Sequence, residues 1–565
     1  MNSTAWGKKN AAKALDMFHQ RRKIIQCILL IFLLLTIARL FQLHIFHKDF
    51  LRAQGNARSV HIVKTPSYRG MLLDRRLEPL AVSTPVDAAW IDPRRLNPSD
   101  KKLHQLSALL DIDVSQIKEK QQSNPDKAFI YLKRWLTPDI GEQISALRIK
   151  GVYTQREYRR YYPAGQDVAQ LIGFTNIDDN GQSGLELLFD DLLRPVPGKK
   201  RVLEDRTGHW LEDIENIQVA HSGQNITLSI DARIQSLLLK ELQETLDKTE
   251  AKSASAVMID IITGEILGMA TAPSFNPNLR NERQGSAVRL RALTDPIEPG
   301  STIKPITMCA ILSRSKYKSN DIIDTSPGKF KLGAHEIKDV RNYGKLSVAE
   351  VLTKSSNIGI SKMVLDMRPD DILETFEQFG LGSGPTLGLP GENGGQLEYH
   401  YNDSTFHASY GYGYGFTITP IQLAHAYATL ANRGVHKPLS ILKLSRKNIP
   451  KGQQVVKQEI ADEVLSMLAK VTEGGTGRRA AIPGYQTGGK TGTSRLVGSS
   501  GYDDTRHLSL FAGITPLKNP RLATAIVVEE PQEGGYYGGL IAAPVYAKVV
   551  SGALQMLNIP PDTEE

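Results

Sequence analysis

The run Ile24–Ala38, IIQCILLIFLLLTIA, carries no charge and constrains the chain more than any other feature. A helix that is apolar all round has no face to offer water, so it is buried or it spans a membrane. Apolar character resumes past Arg39 through Leu40, Phe41, Leu43, Ile45 and Phe46, which reaches the roughly 20 residues that cross a bilayer. A transmembrane helix is therefore predicted at 24–44, with the Arg39 stem reaching the interface at one end. The first 23 residues hold six basic side chains (Lys8, Lys9, Lys13, Arg21, Arg22, Lys23) against Asp16 alone. The positive-inside rule places this tail, 1–23, in the cytoplasm and the rest of the chain outside it. A cleaved signal peptide is the alternative, but QLHIFHKDF follows, with no small-residue cleavage site. His44 and His47 beside the span read as interfacial residues, not as metal ligands.

The tail's net +5 is more than half of the formal +9 carried by 565 residues. The remainder is too nearly neutral to argue a nucleic-acid partner, and no basic-aromatic stretch supports one. With 41% hydrophobic and 23% charged residues, the chain is neither disordered nor polytopic. Two cysteines, Cys27 in the span and Cys309 in an apolar run, exclude a disulfide framework and a Cys-rich zinc site.

Residues 45–225 form a mixed, Pro- and Gly-punctuated region with helical patches at Lys101–Leu110 and Pro138–Leu147. The breakers Pro195–Lys200 and His221–Asn225 close it. The texture then changes: a short strand at Asn225–Ile230, then a helix capped by Asp231 with Ile234, Leu237, Leu238 and Leu242 on one face. A hairpin is predicted over Ala256–Ala270, turning at Thr263-Gly264. Late strands (HLSLFAGI, RLATAIVVE) and a final helix (APVYAKVVSGALQML) complete an α+β domain at 226–565, an antiparallel sheet covered by helices.

Ser301-Thr302-Ile303-Lys304 sets a hydroxyl and an amine three residues apart, on one helix face. Such a pair is a nucleophile and its base when the lysine is desolvated enough to lose its proton. The spacing alone says little: Ser99/Lys102, Ser115/Lys118, Ser313/Lys316 and Ser315/Lys318 share it. Context separates Ser301, which follows the breaker Glu298-Pro299-Gly300 and opens the apolar run IKPITMCAIL, with Pro305 tolerated in the first helical turn. A helix N-terminus also offers N–H donors to developing negative charge. Ser355-Ser356-Asn357 supplies a further hydroxyl and amide, although Ser274-Phe275-Asn276 has the same form. Lys490-Thr491-Gly492-Thr493 contains the chain's one K-T-G, suits a strand edge, and has a glycine where a substrate backbone could come close. Thr419-Pro420-Ile421-Gln422 reads as a capping box. The runs Tyr410–Gly415 (YGYGYG) and Gly474–Gly477 each fit either a cleft-lining loop or a plain turn.

S-x-x-K, S-x-N and K-T-G in this order resemble the penicillin-binding proteins and serine β-lactamases. Arg69, Gly70, Asp74 and Arg75, in RGMLLDR, resemble the first non-catalytic motif of class B penicillin-binding proteins. Arg160, Tyr162, Pro163 and Gly165, followed by Gly184 and Glu186, resemble the second and third. AVSTPVDAAWIDP, HEIKDV, FGLG and YYGGLIAAPV look most like the septal transpeptidase of that class. One departure is visible: many members carry Asn-Gly after Asp-Arg, where this chain has Arg76-Leu77.

The resemblance implies an elongated pedestal at 45–225 and a β-lactamase-like transpeptidase domain at 226–565. Ser301 would attack the D-Ala-D-Ala carbonyl of a peptidoglycan stem peptide and release D-alanine. Lys304 would be the base, Ser355 a proton relay and Asn357 an orienting group. Lys490, Thr491 and Thr493, beside Gly492, would hold the substrate carboxylate, and the N–H groups of Ser301 and Thr493 would form the oxyanion hole. An amine of a neighbouring stem peptide would resolve the acyl-enzyme, with carboxypeptidase turnover as a side activity. β-Lactams would acylate the same serine. No cofactor or metal is implied; the implied partners are a membrane lipid II polymerase and other division proteins at the septum. An elongation-type transpeptidase, a β-lactamase and a β-lactam sensor are the alternatives.

Overall fold

The computed structural model describes residues 4–204, 210–498 and 501–563. The side chains of residues 1–12, and with them Lys8 and Lys9 of the basic tail, lie outside the described residues. The chain divides into two compact units, Met1–Ser67 with Val196–His221, and Tyr68–Pro195 with Ser222–Glu565.

In the first unit a helix runs over Thr4–Phe41 and continues as a wider turn at Gln42–Phe46. Its stretch Leu15–Phe46 is long and apolar enough to cross a membrane, and none of its most apolar window is buried against the chain. The predicted span at 24–44 lies inside it. His44 and His47 turn their Nδ1 atoms onto helix carbonyls of Leu40 and Gln42. A three-stranded antiparallel sheet completes the unit, with Gly198–Glu204 between Val60–Thr65 and Trp210–Gln218.

The second unit holds a mixed region and a sheet-and-helix body. In the mixed region, strand Pro79–Ile91 pairs antiparallel with Ile130–Leu136 and Val152–Tyr161. The helices Asp100–Leu110 and Pro138–Ala146 pack Leu103, Leu106, Leu110 and Ile144 onto it. Three motifs distant in sequence meet here. Arg69 Nε donates to Glu186 Oε2 at 2.7 Å, Arg160 Nε donates to Glu186 Oε1 at 2.6 Å, and Arg160 Nη1 donates to the Gly70 carbonyl at 2.8 Å. All three charged side chains are buried. Tyr162, also buried, accepts the Thr175 N–H on its hydroxyl, and the Gly165 N–H closes the Tyr162-Pro163 turn by donating to the Tyr162 carbonyl. Asp74 takes the Arg76 and Glu78 N–H groups on Oδ1 and the Ala232 N–H on Oδ2. Arg75 Nη2 reaches Glu265 Oε2 at 3.2 Å. The Arg76-Leu77 departure thus sits in a turn that Asp74 still closes, with Leu77 at φ 71°.

The body is built on a five-stranded antiparallel sheet. Its strands are β1 (Ser253–Asp260), β2 (Ile266–Ala272), β3 (Gly488–Gly498), β4 (Gly501–Thr515) and β5 (Leu522–Glu529), in the order β2-β1-β5-β4-β3. The predicted hairpin is β1–β2, turning through Gly264 at φ 78°. Successive side chains of β1 enter different cores: Val257 and Ile259 one, Ala256 and Met258 the other, as the period of a strand requires. One face is covered by α1 (Ala232–Thr249) and by α6 (Ala542–Met556). Asp231 caps α1 by accepting the Arg233 N–H. Ile234, Leu238 and Leu242 are buried as expected; Leu237 is half-buried where it lies against Gly552 of α6, and Leu239 is buried in the same core. On the other face lie α2 (Lys304–Arg314), α3 (Val348–Lys354), α4 (Asn357–Leu365) and α5 (Pro420–Ala431). The predicted capping box at Thr419 and Gln422 is present at the head of α5. The short strand expected at Asn225–Ile230 is reduced to Ile226–Thr227. Cys309 is fully buried in α2, where burial pushes its thiol far above the ordinary range.

Candidate active site

Ser301 lies in a 3-10 turn, Gly300–Ile303, that feeds directly into α2. Residues three apart eclipse in such a turn, so the Ser301 and Lys304 side chains share one side, as the spacing predicts. The difference from the expected α-helical start follows from Pro305, which has no N–H and suits only the first α-helical turn. Lys304 is fully buried. Its Nζ donates to the Ser355 carbonyl at 2.8 Å and to Asn357 Oδ1 at 2.6 Å, and lies 3.3 Å from Ser355 Oγ. A neutral amine has two N–H donors and one lone pair. Both hydrogens have acceptors that cannot donate in return, so the lone pair is left for a hydroxyl.

Ser355 takes the left-handed conformation, φ 61°, between α3 and α4. That turns its carbonyl and hydroxyl together onto Lys304. Ser356 is the N-cap of α4, accepting the Gly359 N–H at 2.9 Å, and Asn357 is its first residue. Asn357 Nδ2 donates to the Lys338 carbonyl at 3.3 Å, which fixes the amide so that Oδ1 faces Lys304.

Lys490, Thr491, Gly492 and Thr493 lie on β3, the edge strand of the sheet. A Cβ on Gly492 would stand 2.8 Å from Thr302 Cγ2 and 3.0 Å from the Pro299 carbonyl. The space that the missing side chain leaves is therefore filled by the chain's own Ser301 turn, not kept for substrate. The Thr493 carbonyl points off the sheet edge and accepts from the Tyr414 hydroxyl at 3.3 Å. The N–H and C=O of one strand residue point the same way, so the Thr493 N–H faces the open side beside Ser301. The Ser301 N–H, in the first turn of its helix, has no intrahelical acceptor. Thr491 Oγ1 donates to Thr476 Oγ1 at 2.9 Å, and Thr493 Oγ1 accepts the Gly538 N–H at 3.2 Å, leaving the Thr493 O–H free to donate.

Burial dominates the electrostatics. It holds Lys304 well below the usual lysine range; the Lys490 cation pushes the same way and the Asp339 carboxylate opposes. Burial brings Lys490 down to about 7. The two buried lysines thus differ by what surrounds them: Lys304 is anchored to three oxygens, whereas Lys490, on the sheet edge, donates to the Thr491 carbonyl at 3.1 Å.

Several residues at the site carry no motif. Glu298 accepts the Gly415 N–H at 2.8 Å and the Tyr502 hydroxyl at 2.9 Å on Oε1, and burial raises its carboxyl. Gly300 N–H donates to the Gly413 carbonyl at 3.0 Å. The YGYGYG run therefore frames the nucleophile turn: Gly413 has φ 96°, and a Cβ there would stand 2.1 Å from the Gly300 carbonyl. The Gly474–Gly477 loop also reaches the site, through Thr476. Asp339, the aspartate of HEIKDV, accepts from Ser356 Oγ and from the Asn357 and Ile358 N–H groups. No local spacing pointed to Asp339 or Glu298.

Residues 254–551 match the penicillin-binding protein transpeptidase domain, and residues 64–228 match the penicillin-binding protein dimerisation domain. The chain belongs to the penicillin-binding protein transpeptidase family. It is 39% identical to the peptidoglycan D,D-transpeptidase FtsI of Escherichia coli K12 over 549 residues, 95% of this chain and 91% of that one. Among solved structures, the transpeptidase domain of Burkholderia pseudomallei penicillin-binding protein 3 is 36% identical, with a TM-score of 0.55 over 60% of this chain and 98% of that chain. Penicillin-binding protein 3 of Mycobacterium tuberculosis, complexed with aztreonam, is 25% identical with a TM-score of 0.68 over 89% of this chain and 98% of that chain.

Proposed function

We propose that this chain is a membrane-anchored serine D,D-transpeptidase that cross-links peptidoglycan stem peptides during septum synthesis, and that β-lactams acylate its nucleophile. The observation that carries the chemistry is the buried Lys304 amine, tied to Ser355 and Asn357 on the side that Ser301 shares. In the proposed sequence, Ser301 Oγ attacks the carbonyl between the last two D-alanines while its proton passes to Lys304. The oxyanion lies between the N–H groups of Ser301 and Thr493; losing one such donor typically costs about 2.7–4 kcal/mol of transition-state stabilisation. The C–N bond breaks, D-alanine leaves with a proton relayed through Ser355, and an ester on Ser301 remains. An amine of a second stem peptide attacks that ester, forms the cross-linking amide and returns the proton to Ser301 through Lys304. Lys490 supplies positive charge, and Thr493, with Thr491 beside it, holds the terminal carboxylate. Water in place of the amine gives carboxypeptidase turnover.

The proposed organisation is a cytoplasmic tail at 1–23, a transmembrane helix at 24–44, a pedestal at 45–225 and a transpeptidase domain at 226–565. The pedestal motif residues Arg69, Gly70, Arg160, Tyr162, Gly184 and Glu186 are structural in this reading. The basic tail supports a cytoplasmic N-terminus with the catalytic domain outside the membrane, and the likeness to a peptidoglycan D,D-transpeptidase, FtsI, supports the cross-linking activity; the septum, and a lipid II polymerase with other division proteins as partners, rest on the family resemblance of the motifs. Mass spectrometry after incubation with a labelled penicillin tests the site: a stable adduct is expected on the peptide containing Ser301. Folded protein with no adduct would refute it, as would normal division of cells carrying only Ser301→Ala.

A further inference from the structure

The turn Ser355-Ser356-Asn357 is held from outside its own helices. Asp339 follows the short strand His335–Lys338, which is docked on α4 by Ile337 packing with Ile358 and Ala408. Its Oδ2 accepts the Ser356 hydroxyl at 2.5 Å, and its Oδ1 accepts the N–H groups of Asn357 at 2.6 Å and Ile358 at 3.1 Å. These are charge-assisted bonds, the stronger kind, and they satisfy N–H groups that the first turn of α4 leaves open. The preceding carbonyl, Lys338, takes the Asn357 amide hydrogen. One segment therefore grips Asn357 by main chain and side chain, and grips Ser356 by its hydroxyl. Those grips set where the left-handed Ser355 aims its carbonyl and hydroxyl, and both meet Lys304.

We propose that Asp339 is a positioning residue for acylation: it fixes the Ser355-Ser356-Asn357 turn in the placement that presents acceptors to Lys304 and leaves the amine's lone pair toward the hydroxyls. The inference rests on the acyl-enzyme reading given above. Asp339 touches no reacting atom; it acts through Ser356 and Asn357. The charged groups facing Lys304 are Asp339 and, from β3, Lys490. The charge of Asp339 favours the protonated lysine, so its removal has two separable effects. Misplacing the turn lowers the rate at every pH, and losing the carboxylate lets Lys304 shed its proton at lower pH.

The test is the second-order rate of acylation by a fluorescent penicillin, measured across pH on the full chain in detergent and normalised to the labelled fraction. Asp339→Asn keeps one carbonyl acceptor and replaces the other oxygen by a donor. Its plateau rate is expected to fall about 10- to 100-fold, the scale of a ~1 Å misplacement at a reacting centre, and its rising limb to move to lower pH. A role in folding alone would lower the melting temperature and leave the rate per labelled molecule and the limb unchanged; that result overturns the proposal. If Asp339→Asn does not fold, Ser356→Ala, which removes the Oδ2 contact together with the cap on the Gly359 N–H, carries the same test, and an unchanged rate overturns it. Wild-type protein that takes no label would overturn the acyl-enzyme reading and this inference together, whereas normal wild-type labelling with an unaffected variant overturns this inference alone.

Discussion

Lys304 Nζ and Asn357 Oδ1 stand 2.6 Å apart although 53 residues separate them. This contact converts a buried lysine from a liability into a base. Unpaired, the ammonium form would be expelled from such a site; paired with neutral acceptors only, the amine is held in place while burial favours its neutral form.

Asn357→Ala removes that acceptor and frees one amine hydrogen. Acylation by a labelled penicillin is expected to slow about 10²–10⁴-fold, the contribution of a positioned general base. A rate within a factor of three of wild type would show that Asn357 does not orient Lys304.

The pH profile follows from two depressed lysines. Lys304, held well below the usual lysine range by burial, sheds its proton at a lower pH than an ordinary lysine, so acylation climbs as that amine becomes a base. Lys490, lowered to about 7 by burial, loses the charge that draws a carboxylate as pH rises further. The second-order acylation rate is therefore expected to be bell-shaped, with its falling limb beginning near pH 7. A rate that climbs without a maximum to pH 10 would contradict the part assigned to Lys490.

Gly492→Ala places a Cβ against the Pro299 carbonyl, backbone that cannot rotate away. The Ser301 turn must shift. Overpacking of this kind costs about 1–3 kcal/mol of stability, and acylation is expected to fall about 100-fold in protein that remains folded. Wild-type acylation with unchanged melting would place the turn elsewhere.

Glu186 is shared by Arg69 and Arg160, all three buried. Glu186→Gln leaves the buried Arg160 guanidinium without its carboxylate and Arg69 with Asp190 alone, and removing one partner of such a pair costs about 3–5 kcal/mol. Denaturant unfolding should show a loss of that size, with β-lactam acylation intact in the fraction still folded.

Leu77 sits at φ 71° and is exposed, so its side chain earns little core packing to offset the left-handed backbone. An L-residue there costs roughly 1–2 kcal/mol, less the ~0.5–1 kcal/mol of entropy that glycine loses on ordering. Leu77→Gly is expected to raise the melting temperature slightly; a decrease would show that Leu77 makes a contact of its own.

The local elements were legible because caps and periods act over a few residues. Asp231, the Thr419–Gln422 box, the β1–β2 hairpin and the apolar N-terminal helix all lie where those patterns put them. The apolar stripe on α1 is wider than the spacing showed: Leu239 is buried as well, and Leu237 lies half-buried against Gly552 of α6. Glycine roles were the hardest to assign. Gly492 read as room for a substrate backbone, and the run holding Gly413 as either a cleft-lining loop or a plain turn, yet each glycine makes room for another part of the same chain.

By itself the sequence determined that one segment must leave water, since no arrangement of Ile24–Ala38 offers a polar face, and it held the serine, the lysine and the K-T-G strand in recognisable order. Only the tertiary structure decided that Asn357 closes on Lys304, that Lys490 comes to face the same amine, and that Asp339 and Glu298 belong to the site. Spacing along a chain reports which side chains share a face. Which faces meet is set by packing two cores against opposite sides of one sheet, and that is a property of the whole domain.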